Sequence, residues 1–147
     1  MDALEVLPKE WGVCRRLLDS PSARVEAISI HRGGFSSRHQ HTHQANGFFL
    51  CRGAVDIIGF KPNGERVTHQ LRAYGDFCIA DAGEIHQFFA LEDSDIIEIY
   101  LPAVVRAGDI QRQNGNGVAS DEQIHEYAVE GRLPNEVEIA GDGFSMR

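Results

Sequence analysis

Three histidines alternate along five residues, His39-Gln40-His41-Thr42-His43. A β-strand sends residues i, i+2 and i+4 to the same face. Imidazoles gathered on one face repel each other as cations, but as neutral ligands they can share a metal ion. Imidazole suits first-row transition metals such as Zn, Fe and Ni. Such an ion needs a third or fourth donor from elsewhere in the chain.

The elements around the histidines read as a procession of short strands. Strand-like runs fall at 25–30, 36–43, 46–51, 54–60, 67–71, 76–80, 86–91 and 96–101. Between them lie the turn signals Gly33-Gly34, Arg52-Gly53, Lys61-Pro62-Asn63-Gly64, Tyr74-Gly75, Ala82-Gly83 and Glu92-Asp93-Ser94. Regular spacing with glycine turns predicts an antiparallel sandwich or barrel. Pro62-Asn63-Gly64 marks the clearest hairpin. Trp11 and Leu17-Leu18 are expected to supply a leading strand and core contacts. Ser120-Asp121-Glu122-Gln123 is a capping-box pattern, which predicts a helix over about 120–130 with Ile124, Tyr127 and Ala128 against the barrel. Residues 141–147 read as a frayed end.

Composition bounds the function. The chain has 147 residues, 42% hydrophobic and 24% charged, the profile of one globular domain. Its net charge of -8 argues against nucleic acid or an anionic membrane as partner. Cys14, Cys51 and Cys78 lack metal-ligand spacing and read as reduced thiols. The start Met1-Asp2-Ala3-Leu4-Glu5 carries no signal-peptide pattern and no apolar run is long enough to span a membrane, so a cytoplasmic location is expected.

Two blocks carry a family resemblance. The first is Gly33, five residues, His39-Gln40-His41, four residues, Asn46, six residues, Gly53. The second is Gly75, five residues, Asp81-Ala82-Gly83-Glu84-Ile85-His86. They resemble the two signature motifs of the cupin superfamily, Gly-x5-His-x-His-x3-4-Glu-x6-Gly and Gly-x5-Pro-x-Gly-x2-His-x3-Asn. Every glycine and histidine falls in place. Asn46 stands for the Glu, Asp81 for the Pro and Ala90 for the Asn. The resemblance implies an all-β cupin jelly-roll barrel (double-stranded β-helix) with a short C-terminal helix: a single domain over 1–147 with its barrel core at about 11–110. It also implies a homodimer. A finer likeness runs through Glu10-Trp11-Gly12, the histidine block, Ile97-Glu98-Ile99 and Gly108-Asp109-Ile110-Gln111-Arg112. That order is similar to the C-terminal cupin domain of bifunctional mannose-6-phosphate isomerase/mannose-1-phosphate guanylyltransferase enzymes.

What the resemblance implies for the site is specific. His39, His41 and His86 become ligands of one divalent transition metal (Zn, Fe, Mn or Ni), with Asn46 as a further candidate ligand where family members carry a carboxylate. Glu98, between Ile97 and Ile99, is expected to face the cavity if those isoleucines face out; with His43 it is a candidate for moving a proton. Phe48 shares the parity of Asn46 and Phe88 that of His86, so both are expected to wall a substrate pocket. The expected function is a metal-dependent isomerase acting on a small sugar-like or other polar molecule. The alternatives are an Fe(II)-dependent dioxygenase with a three-histidine site and a non-catalytic cupin that binds a small ligand.

Overall fold

The computed structural model describes residues 4–102, 110–136, 139–140 and 143–144. Gly108 and Asp109 of the finer resemblance, and most of 141–147, lie outside the described residues. The strands run in chain order as β1 (Val6–Lys9), β2 (Gly12–Asp19), β3 (Arg24–Ile30), β4 (Gly34–Phe35), β5 (His39–His41), β6 (Ala45–Arg52), β7 (Val55–Phe60) and β8 (Arg66–Leu71). They continue as β9 (Phe77–Ala80), β10 (Ile85–Ala90), β11 (Ser94–Leu101), β12 (Ile110–Arg112) and β13 (Gly117–Val118), then helix α1 (Asp121–Glu130), then the short pair β14 (Ile139–Ala140) and β15 (Gly143–Phe144).

Two antiparallel sheets face each other. The first has the order β1-β2-β3-β11-β6-β9. The second has β12-β5-β10-β4-β13, with β7 pairing β10 and β8 pairing β7. Non-consecutive neighbours such as β3-β11-β6 give the jelly-roll arrangement of a cupin barrel. The Pro62-Asn63-Gly64 turn closes the β7–β8 hairpin, with Gly64 at φ 86°.

Period-2 alternation builds the core. Ile28, Ile30, Leu50 and Ile96 of the first sheet meet Val55, Ile57, Phe88 and Ala90 of the second. Trp11 sets its ring edge-on to Phe88, with centroids 5.0 Å apart. Full burial of such side chains contributes about 1.5–3 kcal/mol each before conformational entropy is charged against it. The neighbours Ile58 and Phe89 point the other way, onto the outer face of the second sheet. There α1 covers them with Ile124 and Tyr127. Both faces of β7 and β10 are thus buried, and their polar members Asp56, His86 and Gln87 are buried with the apolar ones.

Helix α1 forms as the sequence predicts. The Ser120 hydroxyl accepts from the Gln123 amide N–H, and the Gln123 side chain accepts from the Ser120 N–H at 2.9 Å. Gly131 at φ 72° ends it in the left-handed region. Tyr127 donates to the buried Asp56 of β7 at 2.5 Å, and Arg72 holds the other oxygen at 2.6 Å.

Three expectations are corrected. Ala128 is exposed rather than packed, because Ile124 and Tyr127 already fill the narrow stripe of α1 that meets the sheet. Leu17 and Leu18 are exposed at 45% and 49%. The β2–β3 register shifts between Arg16 and Leu18, which breaks the alternation that would have turned one of them inward. The expected single strand over 36–43 is shortened to β5, and the two-residue β4 precedes it across 36–38, which are not strand. Phe35 pairs with Phe89 and His39 with His86, so four residue steps on one side match three on the other. The extra residue is a bulge, and it sets the aim of His39.

Candidate metal centre and its cavity

His39 and His41 lie on β5, and His86 on the neighbouring β10, where it pairs across the ladder with His39. Alternation puts His39 and His41 on one face, and antiparallel pairing brings His86 beside them. Their ligand nitrogens all lie within 4.8 Å of one another. Ring centroids are 5.2 Å apart for His39–His41, 4.6 Å for His39–His86 and 5.9 Å for His41–His86. His41 and His86 are buried.

Backbone carbonyls orient two of the rings. His39 Nδ1 donates to the Ser37 carbonyl at 2.7 Å, and His86 Nδ1 donates to the Glu84 carbonyl at 3.0 Å. With the proton held on Nδ1, the Nε2 lone pair is what each ring offers. His86 Nε2 is buried with no hydrogen-bond partner. A buried acceptor left bare costs about 1–3 kcal/mol, which a metal bond would remove. Burial, then the charge of His86, pushes His39 down to about 3, and burial also lowers His86. Both rings are therefore neutral at neutral pH and ready to coordinate. On donor type, convergence and the bare His86 nitrogen, the group fits one first-row divalent ion.

The histidines form one wall of a cavity of about 270 Å³ between the two sheets. Phe48, Phe88 and Glu98 line it too, as the sequence suggests. Glu98 is inward because β11 alternates: Ile96 and Glu98 are buried while Ile97 and Ile99 are half-buried on the outer side. Burial lifts its carboxyl to about 7, with hydrogen bonds from Asn46 and Tyr100 pulling the other way. Asn46 is fully buried on β6 and donates its Nδ2 to Glu98 Oε1 at 2.8 Å. Its Oδ1 is buried with no hydrogen-bond partner. Asn46 does not line the cavity itself, and neither does His43, which is exposed in the turn after β5.

The sequence reading missed the polar floor opposite the histidines. Glu26 of β3 pairs directly with Glu98 across the ladder and is equally buried. Arg16 Nη2 donates to Glu26 Oε1 at 3.2 Å, and the Cys14 thiol donates to Glu26 Oε2 at 2.9 Å. Burial and then the Glu26 carboxylate raise the Cys14 thiol to about 12, so it is no nucleophile at neutral pH. Parity was the available signal: with Ile28 and Ile30 inward, Glu26 must be inward as well.

No protein-family model matches the sequence, and no curated protein matches it. Solved structures do. Oxalate decarboxylase from Bacillus subtilis superposes with a TM-score of 0.65 at 14% identity, over 74% of this chain and 30% of that one. CapF, solved with the inhibitor 3-isopropenyl-tropolone, gives 0.67 at 16% identity over 75% and 34%. Lactobacillus farciminis oxalate decarboxylase in a formate complex gives 0.63 at 16% over 74% and 33%. The chain thus spans about a third of the length of these proteins. At such identities the likeness is one of fold, and the fold is that of the cupins. The Bacillus subtilis enzyme has Mn(II) centres.

Proposed function

We propose that this cupin-fold chain is a metal-dependent enzyme that moves a proton on a small polar substrate, as an isomerase does. The observation that carries the reading is the placement of Glu98. Its carboxyl faces the same cavity as His39, His41 and His86, from the opposite sheet. A metal bound by the three histidines would supply Lewis acidity, polarising a carbonyl beside a hydroxyl. The chain's own groups do the rest. Glu98 takes a proton from the hydroxyl-bearing carbon next to that carbonyl and returns it to the former carbonyl carbon, while the hydroxyl proton passes to the former carbonyl oxygen. A carboxyl poised near neutrality can act in both directions. Asn46 and Tyr100 hold it in place. Phe48, Phe88 and Trp11 give the cavity an apolar wall, with the Phe48 ring 5.9 Å from that of His86. His43, exposed and off the wall, is given no part in the proton transfer. The finer likeness to the sugar-phosphate isomerase group adds support through Glu98 itself. The ion itself would be Zn, Fe, Mn or Ni.

The test is turnover. Glu98→Gln keeps the shape and removes the titrating group, so kcat on a substrate found by screening hydroxy-carbonyl compounds should fall by about 10²–10⁴ with metal content unchanged. Unchanged turnover in Glu98→Gln would sink the assignment. A second reading draws on the apolar end of the cavity, where Trp11, Phe48 and Phe88 gather beside a site without a carboxylate ligand among the three histidines. That setting also suits an Fe(II) dioxygenase acting on a small enolic substrate. Oxygen uptake that requires Fe(II) and that Zn does not support separates the two. Ligand-induced thermal stabilisation without any turnover would mark a binding protein instead.

A further inference from the structure

Four cationic side chains line the cavity: Lys9, Arg16, Arg24 and Arg112. Two of them have their charge answered by ion pairs within the chain. Arg16 is paired with Glu5 at 2.9 Å and with Glu26 at 3.2 Å, and Arg24 with Asp19 at 3.4 Å. Lys9 makes no ion pair among the described residues; it lies on β1 of the first sheet, the sheet that also carries Glu26 and Glu98. Arg112 differs. It sits on β12, where it pairs across the ladder with His39. Its Nη1 donates to the hydroxyl of the buried Ser37 at 2.8 Å. Among the described residues it makes no ion pair with a carboxylate.

The histidine wall of the cavity therefore carries a solvent-exposed guanidinium, anchored by its hydrogen bond to Ser37 and paired across the ladder with His39, beside a site where three imidazoles would leave a bound ion's two positive charges uncompensated. The opposite sheet carries Glu26 and Glu98. We infer that the substrate is a small monocarboxylate with a hydroxyl or carbonyl beside the acid group, and that Arg112 is the residue that selects its negative charge. The planar fork of an arginine matches a carboxylate, and the Ser37 contact fixes one arm of the fork in advance. A second anionic group on the ligand would meet the carboxyls of the floor, which disfavours dianions. A cavity of about 270 Å³ limits the ligand to a small molecule. This inference rests on the metal reading above only for the charge at the histidines; the arginine is present in either case.

Calorimetric titration tests it with lactate, its uncharged isostere lactamide, and inorganic phosphate. Each is titrated into Mn(II)-loaded and chelator-treated protein, as wild type, Arg112→Lys and Arg112→Gln. Wild type should bind lactate about tenfold tighter than lactamide, the weight of one charge-assisted pair. Arg112→Gln should lose that preference with metal content and melting temperature unchanged, and Arg112→Lys should keep part of it. Equal affinity for lactate and lactamide in wild type, an undiminished preference in Arg112→Gln, phosphate binding tighter than lactate, or no lactate binding at millimolar concentration would each overturn the inference. If wild type takes up no metal, the metal reading fails. The dependence of the lactate preference on Arg112 is then read on the metal-free protein and decides this inference alone.

Discussion

His86 and Glu98 do opposite things with burial. His86 keeps its proton on Nδ1, donated to the Glu84 carbonyl, and presents a bare nitrogen to the cavity. Glu98 is pushed toward holding a proton, with its carboxyl lifted from 4.5 to about 7. The stability consequence has a definite sign. Between those two values the folded metal-free protein keeps a proton that the unfolded chain has released. Stability from this group is therefore full below 4.5 and lost as pH rises through about 7. His39 and His86, whose values are lowered, act oppositely and gain stability as pH rises toward the ordinary imidazole value. Comparing wild type with Glu98→Gln cancels the histidines. The variant, destabilised or not at low pH, should gain on wild type by about 3 kcal/mol between roughly pH 4 and pH 8 in chelator-treated samples. Denaturant titrations check this. A difference that stays constant with pH would mean that Glu98 is ionised when folded. At this scale the three histidines were legible in the sequence because alternation and glycine spacing are local. The inward parity of Glu26 is equally local and was overlooked, whereas its pairing with Glu98 and that of Arg112 with His39 were not legible, because each joins strands distant in sequence.

Strand β10 is the element on which the site depends. Its inner face carries His86 and Phe88, and its outer face carries Phe89 under α1. The helix is fastened to this sheet by the Tyr127–Asp56–Arg72 contact, which is far from the cavity wall. Tyr127→Phe should therefore destabilise the protein by about 1–2 kcal/mol while leaving metal uptake unchanged. Chemical denaturation and metal content measured on the same sample check it. A loss of metal in this variant would show that the outer layer also sets the histidine geometry. The capping box made α1 legible to within a residue, since both halves of that signal lie in one turn. The β4–β5 break was not legible. Nothing local to Ser36–Arg38 announces an extra residue. It becomes visible only when Phe35 and His39 are counted against Phe89 and His86 on the partner strand.

Across the whole molecule the inner face of the first sheet grades from apolar to polar. Ile28, Ile30, Leu50 and Ile96 close one end, while Glu26, Glu98 and Asn46 stand toward the other. That grading turns a sandwich core into a cavity with a chemical end. The outer face of the same sheet exposes Phe77 and Ile79 at 49% and 52%, beside half-buried Ile97 and Ile99. A homodimer through this face is the expectation, with Ile79→Asp shifting it toward monomer in sedimentation velocity; a monomeric wild type would refute it. Among the described residues no helix is long and apolar enough to cross a membrane. The overall fold was legible because glycine turns and alternation repeat along the chain. Pairings such as β3-β11-β6 had to come from the structure. The central claim is the metal centre, and metal content tests it most directly. Protein loaded separately with Mn(II), Zn(II), Fe(II) or Ni(II) and then dialysed should retain about one ion per chain for at least one metal, as measured by elemental analysis. His86→Ala and His41→Ala, folded by circular dichroism, should lose that ion. Wild type that retains none of the four metals, or variants that retain them in full, would contradict it.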